Sequence, residues 1–410
     1  MTKQRPVYAA RRPLRRLEAA WGRLESRIDR LSTLAARLRP YNPLYHLGQL
    51  TIFLLIYLTL TGVYLTLLYR PGETRAFESV AAISATWFGS IMRTSHRYAA
   101  DALILVAFLH AGKAFLSDRF WGSRWLAWVS GWIIVLLFWA VGTMGYFLVW
   151  DDAAQWLTQY SLDRLGGSFT LAFLGPDSAA RTFSFFIIIL FLHVFMPLIL
   201  ALGVLVHVLR LARARYWAPR WLMISSALLL VLLSLALPVA NGAPADVNRM
   251  LGRMTIDWWY LGFLPLIDWL GDPLFWGLSF LVIGLIIALP WLLRGQHLGP
   301  AQVINASCTG CALCARECPY DAIEMVHRDD ETKFASLAVV KPNACTGCGV
   351  CVAACNDDAI ELQALHSRVV RQDLRRAVRR ADPARAPVVI YTCDRHAALG
   401  TLPQLTPAAA

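Results

Sequence analysis

Long apolar segments separated by short polar ones run through the first 294 residues. Six of these segments are long enough to cross a hydrocarbon core of about 30 Å as helices that rise about 1.5 Å per residue. They lie at 48–70, 95–116, 125–149, 183–209, 219–240 and 273–294. The pattern predicts an all-α membrane protein with six transmembrane helices.

A different pattern occupies residues 1–44. Its apolar residues recur at alternating steps of three and four, at Leu14, Leu17, Trp21, Leu24, Ile28 and Leu31. Eleven of the first forty residues are Lys or Arg and three are acidic. This predicts a basic amphipathic helix that lies on the lipid headgroups, with a coiled-coil seam to a partner as the alternative.

Composition and charge agree with a membrane location. The chain has 410 residues, of which 57% are hydrophobic and 16% charged, and a net charge of +12. Soluble domains are about 25% charged, so an ordinary soluble domain is excluded. Basic residues concentrate in the N-terminal segment, at 113–124, at 210–220 and after 294. The positive-inside rule then predicts a multi-pass protein of the cytoplasmic membrane with both termini in the cytoplasm, and we expect no nucleic-acid partner.

Four histidines fall within two of the predicted spans. His96 and His110 lie in the second span, His193 and His207 lie in the fourth, and each pair is 14 residues apart. At about 100° per residue, fourteen steps return to within about 40° of the starting direction after a rise of about 21 Å. Each helix therefore presents two imidazoles on one face. Pairing across the helices joins His96 to His193 on the outer side and His110 to His207 on the inner side. Two facing neutral imidazoles are axial ligands of a six-coordinate haem iron.

Glycines repeat the same period in the two neighbouring spans. Gly48 and Gly62 are 14 residues apart, as are Gly131 and Gly145. A glycine lets a flat macrocycle lie against the helix backbone where a Cβ would collide. Histidines and glycines together predict a four-helix bundle with two stacked haems.

Several segments of the bundle resemble a known family. RTSHRYAADALILVAFLH, HVFMPLILALGVLVH and GTMGYFLVWDD are similar to the second, fourth and third helices of cytochrome b from cytochrome bc and bf complexes. The resemblance covers about residues 35–294. It implies that His96 and His193 bind the low-potential haem and His110 and His207 the high-potential haem. It also implies a homodimeric core.

The resemblance continues into the segment NGAPADVNRMLGRMTIDWWYLGFLPL, which in the family ends in a Pro-Glu-Trp-Tyr motif. On that alignment Ile256, Asp257, Trp258 and Trp259 occupy the motif, with an aspartate in place of the glutamate. It implies an outer quinol-oxidising site near Trp150, Asp257, Trp258 and Tyr260, where Asp257 would accept a proton. His46 lies two residues before Gly48, where bf relatives carry a cysteine; we expect it on the inner surface or in a quinone pocket.

Eight of nine cysteines form two runs of identical spacing, C-x2-C-x2-C-x3-C. The first run is Cys308, Cys311, Cys314 and Cys318, and the second is Cys345, Cys348, Cys351 and Cys355. Thiolates at this spacing bind cubic iron–sulfur clusters. Structural zinc, the alternative, favours separate C-x2-C pairs.

The region from about 300 to 362 resembles bacterial-type ferredoxins. In two-cluster ferredoxins the fourth cysteine of each run ligates the other cluster. The resemblance therefore implies one [4Fe-4S] cluster on Cys308, Cys311, Cys314 and Cys355. A second cluster would be held by Cys345, Cys348, Cys351 and Cys318. It also implies a small α+β domain, which we expect on the cytoplasmic side.

These features predict five parts: the surface helix 1–44, the di-haem bundle 45–215, two further helices 216–299, the ferredoxin domain 300–363 and a basic extension 364–410. In the extension, Cys393 is either a free thiol or a contact to a cofactor or partner.

The sequence predicts a quinol-oxidising electron-transfer subunit of a bc-like complex. Because the chain has no Rieske ligand set, one electron from quinol would go to a Rieske-type or other high-potential subunit and a cytochrome c or equivalent. The other would pass through the haems to an inner quinone or through the clusters to a cytoplasmic partner. Two alternatives stay open: a membrane anchor fed by a cytoplasmic dehydrogenase, and an electron-carrier scaffold without a working quinone site.

Overall fold

The computed structural model of the chain describes residues 42–116, 120, 124–165, 178–209, 216–246, 257–293 and 299–362, apart from positions 319, 331 and 343. Isolated positions at 20, 24, 372, 375 and 376 are also described. The predicted surface helix within 1–44 lies almost entirely outside the described residues. Ile256, Cys393 and almost all of the extension 364–410 lie outside them as well.

The membrane part is built from a short 3-10 helix (Pro43–His46) and nine described α-helices. In chain order they are α1 (Leu47–Leu68), α2 (Glu73–Ala85), α3 (Trp87–Leu116), α4 (Trp125–Val149), α5 (Asp152–Leu165), α6 (Ser178–Leu209), α7 (Arg220–Ala236), α8 (Leu264–Leu270) and α9 (Asp272–Leu292). Within the described residues, α1, α3, α4, α6 and α9 are long and apolar enough to cross a membrane. The mostly helical membrane architecture is thus confirmed.

The predicted count of six full-length spans is not confirmed. The predicted span 219–240 is the helix α7, which has only 17 residues and a length of about 25 Å. Prolines limit it at both ends, since Pro219 is its N-cap residue and Pro238 follows its C-cap residue, Leu237. The residue before a proline disfavours the α conformation, so the helix cannot extend further.

The sequence analysis did not predict three of the helices, and a fourth begins earlier than predicted. The missed helices are α2, α5 and α8, which are short. The helix α3 begins at Trp87, eight residues before the predicted start at 95. Its start is capped, because the Thr86 hydroxyl accepts a hydrogen bond from the Gly89 N–H at 3.1 Å. Asp151 caps α5 in the same way, through the Ala154 N–H at 3.1 Å.

The core of the bundle lies between two helix pairs. The helix α1 packs along α3, α4 packs along α6, and α3 contacts α4. Leu54, Leu103, Phe138 and Leu200 are among the buried residues at the centre. The four helices that carry the predicted histidines and glycines are therefore those that share one core.

The C-terminal part is a small α+β unit. Its elements are β1 (Ala301–Val303), α10 (Leu313–Glu317), β2 (Ile323–His327), β3 (Ser336–Val340), α11 (Val350–Ala354) and β4 (Ile360–Leu362). Two antiparallel ribbons form, β1 with β4 from Ala301 opposite Leu362, and β2 with β3 from Ile323 opposite Val340. The strands β2 and β4 are the apolar elements that follow the two cysteine runs.

The two halves of this unit repeat their backbone as well as their cysteines. Three pairs of positions, each separated by 37 residues, have positive φ angles. They are Gly310 (+69°) and Gly347 (+65°), Ala312 (+61°) and Gly349 (+79°), and Asp321 (+51°) and Asp358 (+52°). Equal left-handed turns at equal positions bend both runs around a centre in the same way.

Gly142 of α4 should be intolerant of a side chain. A Cβ at this position would lie 2.2 Å from Cε1 of the Tyr260 ring, which is 1% exposed. Gly142→Ala is expected to lower the midpoint of thermal unfolding, followed by circular dichroism of the purified protein. Gly284→Ala in α9 is the control, because a Cβ there meets nothing within 4 Å. Equal midpoints for the two variants would contradict this packing.

Candidate functional site

His96 and His193 face each other across α3 and α6. Their ring centroids are 6.3 Å apart, with an angle of 56° between the ring planes. Metal–imidazole nitrogen bonds are about 2 Å long, so two imidazoles on opposite sides of one metal have nitrogens ~4 Å apart and centroids ~6 Å apart. The observed separation therefore suits two imidazoles that would bind one iron between them.

Each of these histidines packs on a glycine of the neighbouring helix. A Cβ built at Gly62 of α1 would lie 3.2 Å from Cε1 of His96, and one at Gly145 of α4 would lie 3.5 Å from Cε1 of His193. The four residues form one level of the bundle, named here the His96 level. The glycines let the imidazoles approach the backbone of α1 and α4.

A second level has the same composition, one histidine period further along the helices. A Cβ built at Gly48 would lie 3.0 Å from Cε1 of His110, and one at Gly131 would lie 3.2 Å from Cε1 of His207. These four residues are named the His110 level. The fold thus brings all eight predicted residues into two matching sets.

Hydrogen bonds define which nitrogen of three of the rings is available. His193 Nδ1 lies 3.0 Å from the Val141 carbonyl, so this nitrogen donates. His96 Nδ1 lies 2.9 Å from the Thr61 hydroxyl, whose own hydrogen goes to the Tyr57 carbonyl at 2.9 Å.

His207 follows the same scheme, with Nδ1 2.9 Å from the hydroxyl of Ser130, which donates to the Ala127 carbonyl at 3.3 Å. In each case Nδ1 is the donor, and Nε2 keeps a lone pair for a metal. The donor set of each level, two imidazoles packed on two glycines, therefore fits a haem.

Asp257 lies at the centre of a polar cluster beside the His96 level. Its Oδ2 accepts hydrogen bonds from Arg97 and from the Tyr146 hydroxyl, and Oδ1 accepts from the Trp259 N–H at 2.8 Å. Arg97 also forms an ion pair with Asp101, one turn further along α3. The cluster thus places one cation against two carboxylates, with all three charged side chains between 26% and 33% exposed.

Tyr260 completes this cluster. The Arg97 guanidinium carbon lies 5.0 Å from the centre of the Tyr260 ring and 5.3 Å from that of Tyr146. Burial raises the pKa of Tyr260, so its hydroxyl stays protonated at neutral pH.

The structure does not gather the other two predicted quinol-site residues in the same way. The Trp258 side chain is 74% exposed. Trp150 is buried in a separate cluster with Ala76, Ala154 and Phe186, and has a left-handed backbone with φ of +53°. Trp150 therefore forms the turn between α4 and α5 and belongs to a different apolar cluster from Tyr260.

Sequence reasoning missed Arg97, Asp101 and Tyr146. A signal was available for the first two, because an arginine and an aspartate one turn apart inside an apolar span are costly and mark functional positions. Tyr146 had no such signal, since a tyrosine next to Gly145 in an aromatic-rich helix is unremarkable.

The cysteines line two cavities, and each cavity has the set of four cysteines that the resemblance to ferredoxins implies. Cys318, Cys345, Cys348 and Cys351 line one of about 330 Å³, counted with its open mouth. Cys308, Cys311, Cys314 and Cys355 line the other, of about 300 Å³. In both, three cysteines of one run meet the fourth of the other run.

Backbone amides and one arginine support these sets. The Ala322 N–H donates to Cys318 Sγ at 3.3 Å, and the equivalent Ala359 N–H donates to Cys355 Sγ at 3.2 Å. Arg328 is almost fully buried and donates to the carbonyls of Cys308 and Asn305, both at 2.7 Å.

Burial and the neighbouring thiols raise the pKa of Cys351 to about 12, and the same causes raise the pKa of Cys314. Four thiolates in one such cavity need a positive partner, and a bound metal deprotonates its coordinating thiols. The residues present therefore fit iron–sulfur clusters.

Known proteins match both parts of the chain. Residues 39–215 match the family "Cytochrome b/b6/petB", and residues 307–359 match the family "4Fe-4S dicluster domain". A segment of 157 residues is 32% identical to a "Cytochrome bc complex cytochrome b subunit" of Chlorobaculum thiosulfatiphilum. That segment covers 36% of this chain and only 37% of the relative.

A solved structure described as "Hyperthermophilic respiratory Complex III" is similar in fold. The TM-score is 0.52 at 19% sequence identity, over 65% of this chain and 82% of the other. At this level of identity the likeness concerns the fold alone.

Removing one histidine of the His110 level should remove one haem. His110→Ala is expected to lower the haem content per protein by about half, because a six-coordinate iron loses one of its two protein ligands. The measurement is the pyridine haemochrome assay on the purified protein. His46→Ala is the control, since His46 hydrogen-bonds Gln49 at 2.7 Å and belongs to neither level. Unchanged haem content in His110→Ala would refute the ligand assignment.

Arg328 should stabilise the loop that carries Cys308. Arg328→Leu removes the donor to the buried Cys308 carbonyl and to the Asn305 carbonyl, and is expected to lower the iron content per protein. Iron is measured by colorimetric assay after purification. Lys341→Ala is the matched control, because the Lys341–Glu324 ion pair is more than half exposed and such pairs contribute little. Equal iron loss in both variants would argue against a specific role of Arg328.

Proposed function

We propose that this chain is the membrane electron-transfer subunit of a bc-like quinol oxidoreductase, because residues 39–215 match the cytochrome b/b6 family and residues 307–359 match the 4Fe-4S dicluster family. The observation that carries the proposal is the pair of matching levels, each with two histidines against two glycines, in one helix bundle. A passive membrane anchor has no need of four imidazoles at membrane depth.

His96 and His193 would hold one b haem, and His110 and His207 a second. The two cysteine sets would hold two [4Fe-4S] clusters. When bound, these groups take up and release single electrons at potentials that their surroundings determine. The protein's own part is to orient the imidazoles through Thr61, Ser130 and the Val141 carbonyl, and to exclude water from the bundle core.

The charge distribution supports an orientation for this assembly. The basic loops flank the start of α4 and the end of α6, which is the end of the bundle with the His110 level. By the positive-inside rule that end and the ferredoxin domain are cytoplasmic, as are both termini. This orientation requires that α7 also crosses the membrane, and its 17 residues are at the lower limit for a transmembrane helix.

The Asp257 cluster is the proposed quinol-oxidising site. Quinol loses two protons with its two electrons, so it needs a hydrogen-bond acceptor close to the haem at the His96 level. Of the two carboxylates in the cluster, Asp257 is the proposed acceptor because it occupies the acidic position of the Pro-Glu-Trp-Tyr-like segment, and Arg97 and Tyr146 orient it. Trp258 follows Asp257 directly in the sequence and is largely exposed, so its ring would be the apolar contact for the quinol ring.

A second candidate has an observation in its favour. Both oxygens of Asp257 are already engaged, by Arg97, Tyr146 and the Trp259 N–H. An aspartate held in this way also suits an electron-carrier scaffold without a working quinone site. A dehydrogenase anchor, with clusters fed from a cytoplasmic enzyme, is the third possibility.

The proposal requires partners that this chain does not contain. A Rieske-type or other high-potential subunit with a cytochrome c or equivalent would take one electron from quinol. A soluble cytoplasmic protein would exchange electrons with the clusters, and two copies of the chain would form a dimeric core. The identity of the subunits that co-purify with the chain therefore distinguishes the quinol-oxidising hypothesis from the dehydrogenase-anchor hypothesis.

Asp257→Asn should slow quinol oxidation by the purified complex about 100-fold, because the amide cannot accept the quinol proton. The measurement is the rate of acceptor reduction with a synthetic quinol, with haem content checked in parallel. Asp268→Asn is the control, since Asp268 is exposed and accepts a hydrogen bond from Tyr160 at 2.8 Å. An unchanged rate in Asp257→Asn with intact haem would exclude Asp257 as the acceptor. Absence of quinol oxidation in the unmodified complex would favour the scaffold.

A further inference from the structure

A side-chain contact between two described residues joins the cysteine domain to the membrane bundle. The Arg124 guanidinium carbon lies 4.7 Å from the centre of the Tyr320 ring. A guanidinium within about 6 Å of a ring centroid is attracted by the negative face of the ring. Arg124 immediately precedes α4, and Tyr320 follows Cys318 by two residues, so the contact fixes which part of the cysteine domain meets the bundle.

Tyr320 belongs to only one of the two cysteine cavities. It lines the cavity of Cys318, Cys345, Cys348 and Cys351, together with Ala301 and Val340. The cavity of Cys308, Cys311, Cys314 and Cys355 is lined by other residues, which include Met325 and Asp357 but not Tyr320. The contact of Arg124 with Tyr320 therefore places the cavity of Cys318, Cys345, Cys348 and Cys351 against the bundle.

Arg124 also identifies the end of the bundle. Gly131, which packs on His207, lies seven residues after Arg124, or about 10 Å along α4. The start of α4 meets the end of α9, because the rings of Trp125 and Trp291 are 5.4 Å apart. The chain leaves the membrane part at this same end, so the cysteine domain lies beside the His110 level.

We propose that the cysteine set of Cys318, Cys345, Cys348 and Cys351 is the membrane-proximal one, next to the His110–His207 pair, with Arg124 and Tyr320 as its docking contact. The set of Cys308, Cys311, Cys314 and Cys355 is then distal and serves the soluble partner. This inference rests on the proposed function, in which both sets bind clusters.

The charge of Arg124 provides a test that does not depend on turnover. Removing a cation near an iron–sulfur cluster favours its oxidised form and lowers its reduction potential. Arg124→Gln in the full complex should lower the potential of the proximal cluster and leave that of the distal cluster unchanged. The potentials are measured by redox titration followed by electron paramagnetic resonance.

Two ligand variants at equivalent positions of the repeat identify the two signals. Cys348→Ser alters the spectrum of the proximal cluster and Cys311→Ser that of the distal cluster, since both are exposed second cysteines of their runs. Arg124→Lys keeps the charge and should keep the potential. Arg220→Gln, an exposed arginine at the start of α7, should change neither potential.

Docking itself is measured by hydrogen exchange, which requires no ligand variant. Tyr320→Leu should raise amide exchange around Asp321 and Ala322 more than around Asp358 and Ala359, their equivalents 37 residues later, whereas Tyr320→Phe keeps the ring and should not. A potential shift confined to the Cys311 signal, or no shift of either signal, would overturn the inference. Absence of any cluster signal in the unmodified complex would instead count against the proposed function.

Discussion

The close approach of each imidazole to a glycine of the neighbouring helix is the constraint on which the bundle depends. Any Cβ at the four glycines would lie between 3.0 and 3.5 Å from a histidine ring, at or near the limit of ordinary contact. Because there are two such contacts along each helix pair, both the spacing and the rotation of α1 against α3 and of α4 against α6 are defined. The helix core, the ligand geometry and the separation of the two levels follow from these contacts.

The polar cluster at Asp257 shows a different balance. Arg97, Asp101 and Asp257 place three charges in the membrane part, where each unpaired charge would carry a large desolvation cost. Sharing one guanidinium between two carboxylates reduces that cost but leaves a net negative charge. Such an arrangement is weak evidence for stability and better evidence for a site that handles protons, which agrees with the proposed quinol chemistry.

The cysteine domain is organised by its own repeat. Left-handed turns and N–H to sulfur hydrogen bonds recur at intervals of 37 residues, so the two cavities are nearly equivalent in isolation. Two arginines make the two cavities different, one from the membrane bundle and one from within the domain. Arg124 contacts the side with Tyr320, and Arg328 braces the loop of Cys308 on the other side. Two similar cavities thereby acquire different surroundings.

The sequence by itself determined the elements whose signals are local. Spans, the 14-residue period of histidines and glycines, and the cysteine runs depend on helix pitch and on tight turns, which neighbouring residues dictate. Even the short helix α7 could have been foreseen from Pro219 and Pro238. Only the tertiary structure decided the pairing of Arg97 with Asp257, 160 residues apart, the separate burial of Trp150, and the contact of Tyr320 with Arg124. These contacts depend on how helices cross and where the cysteine domain docks, and no periodicity along a single chain segment encodes the distance between two segments.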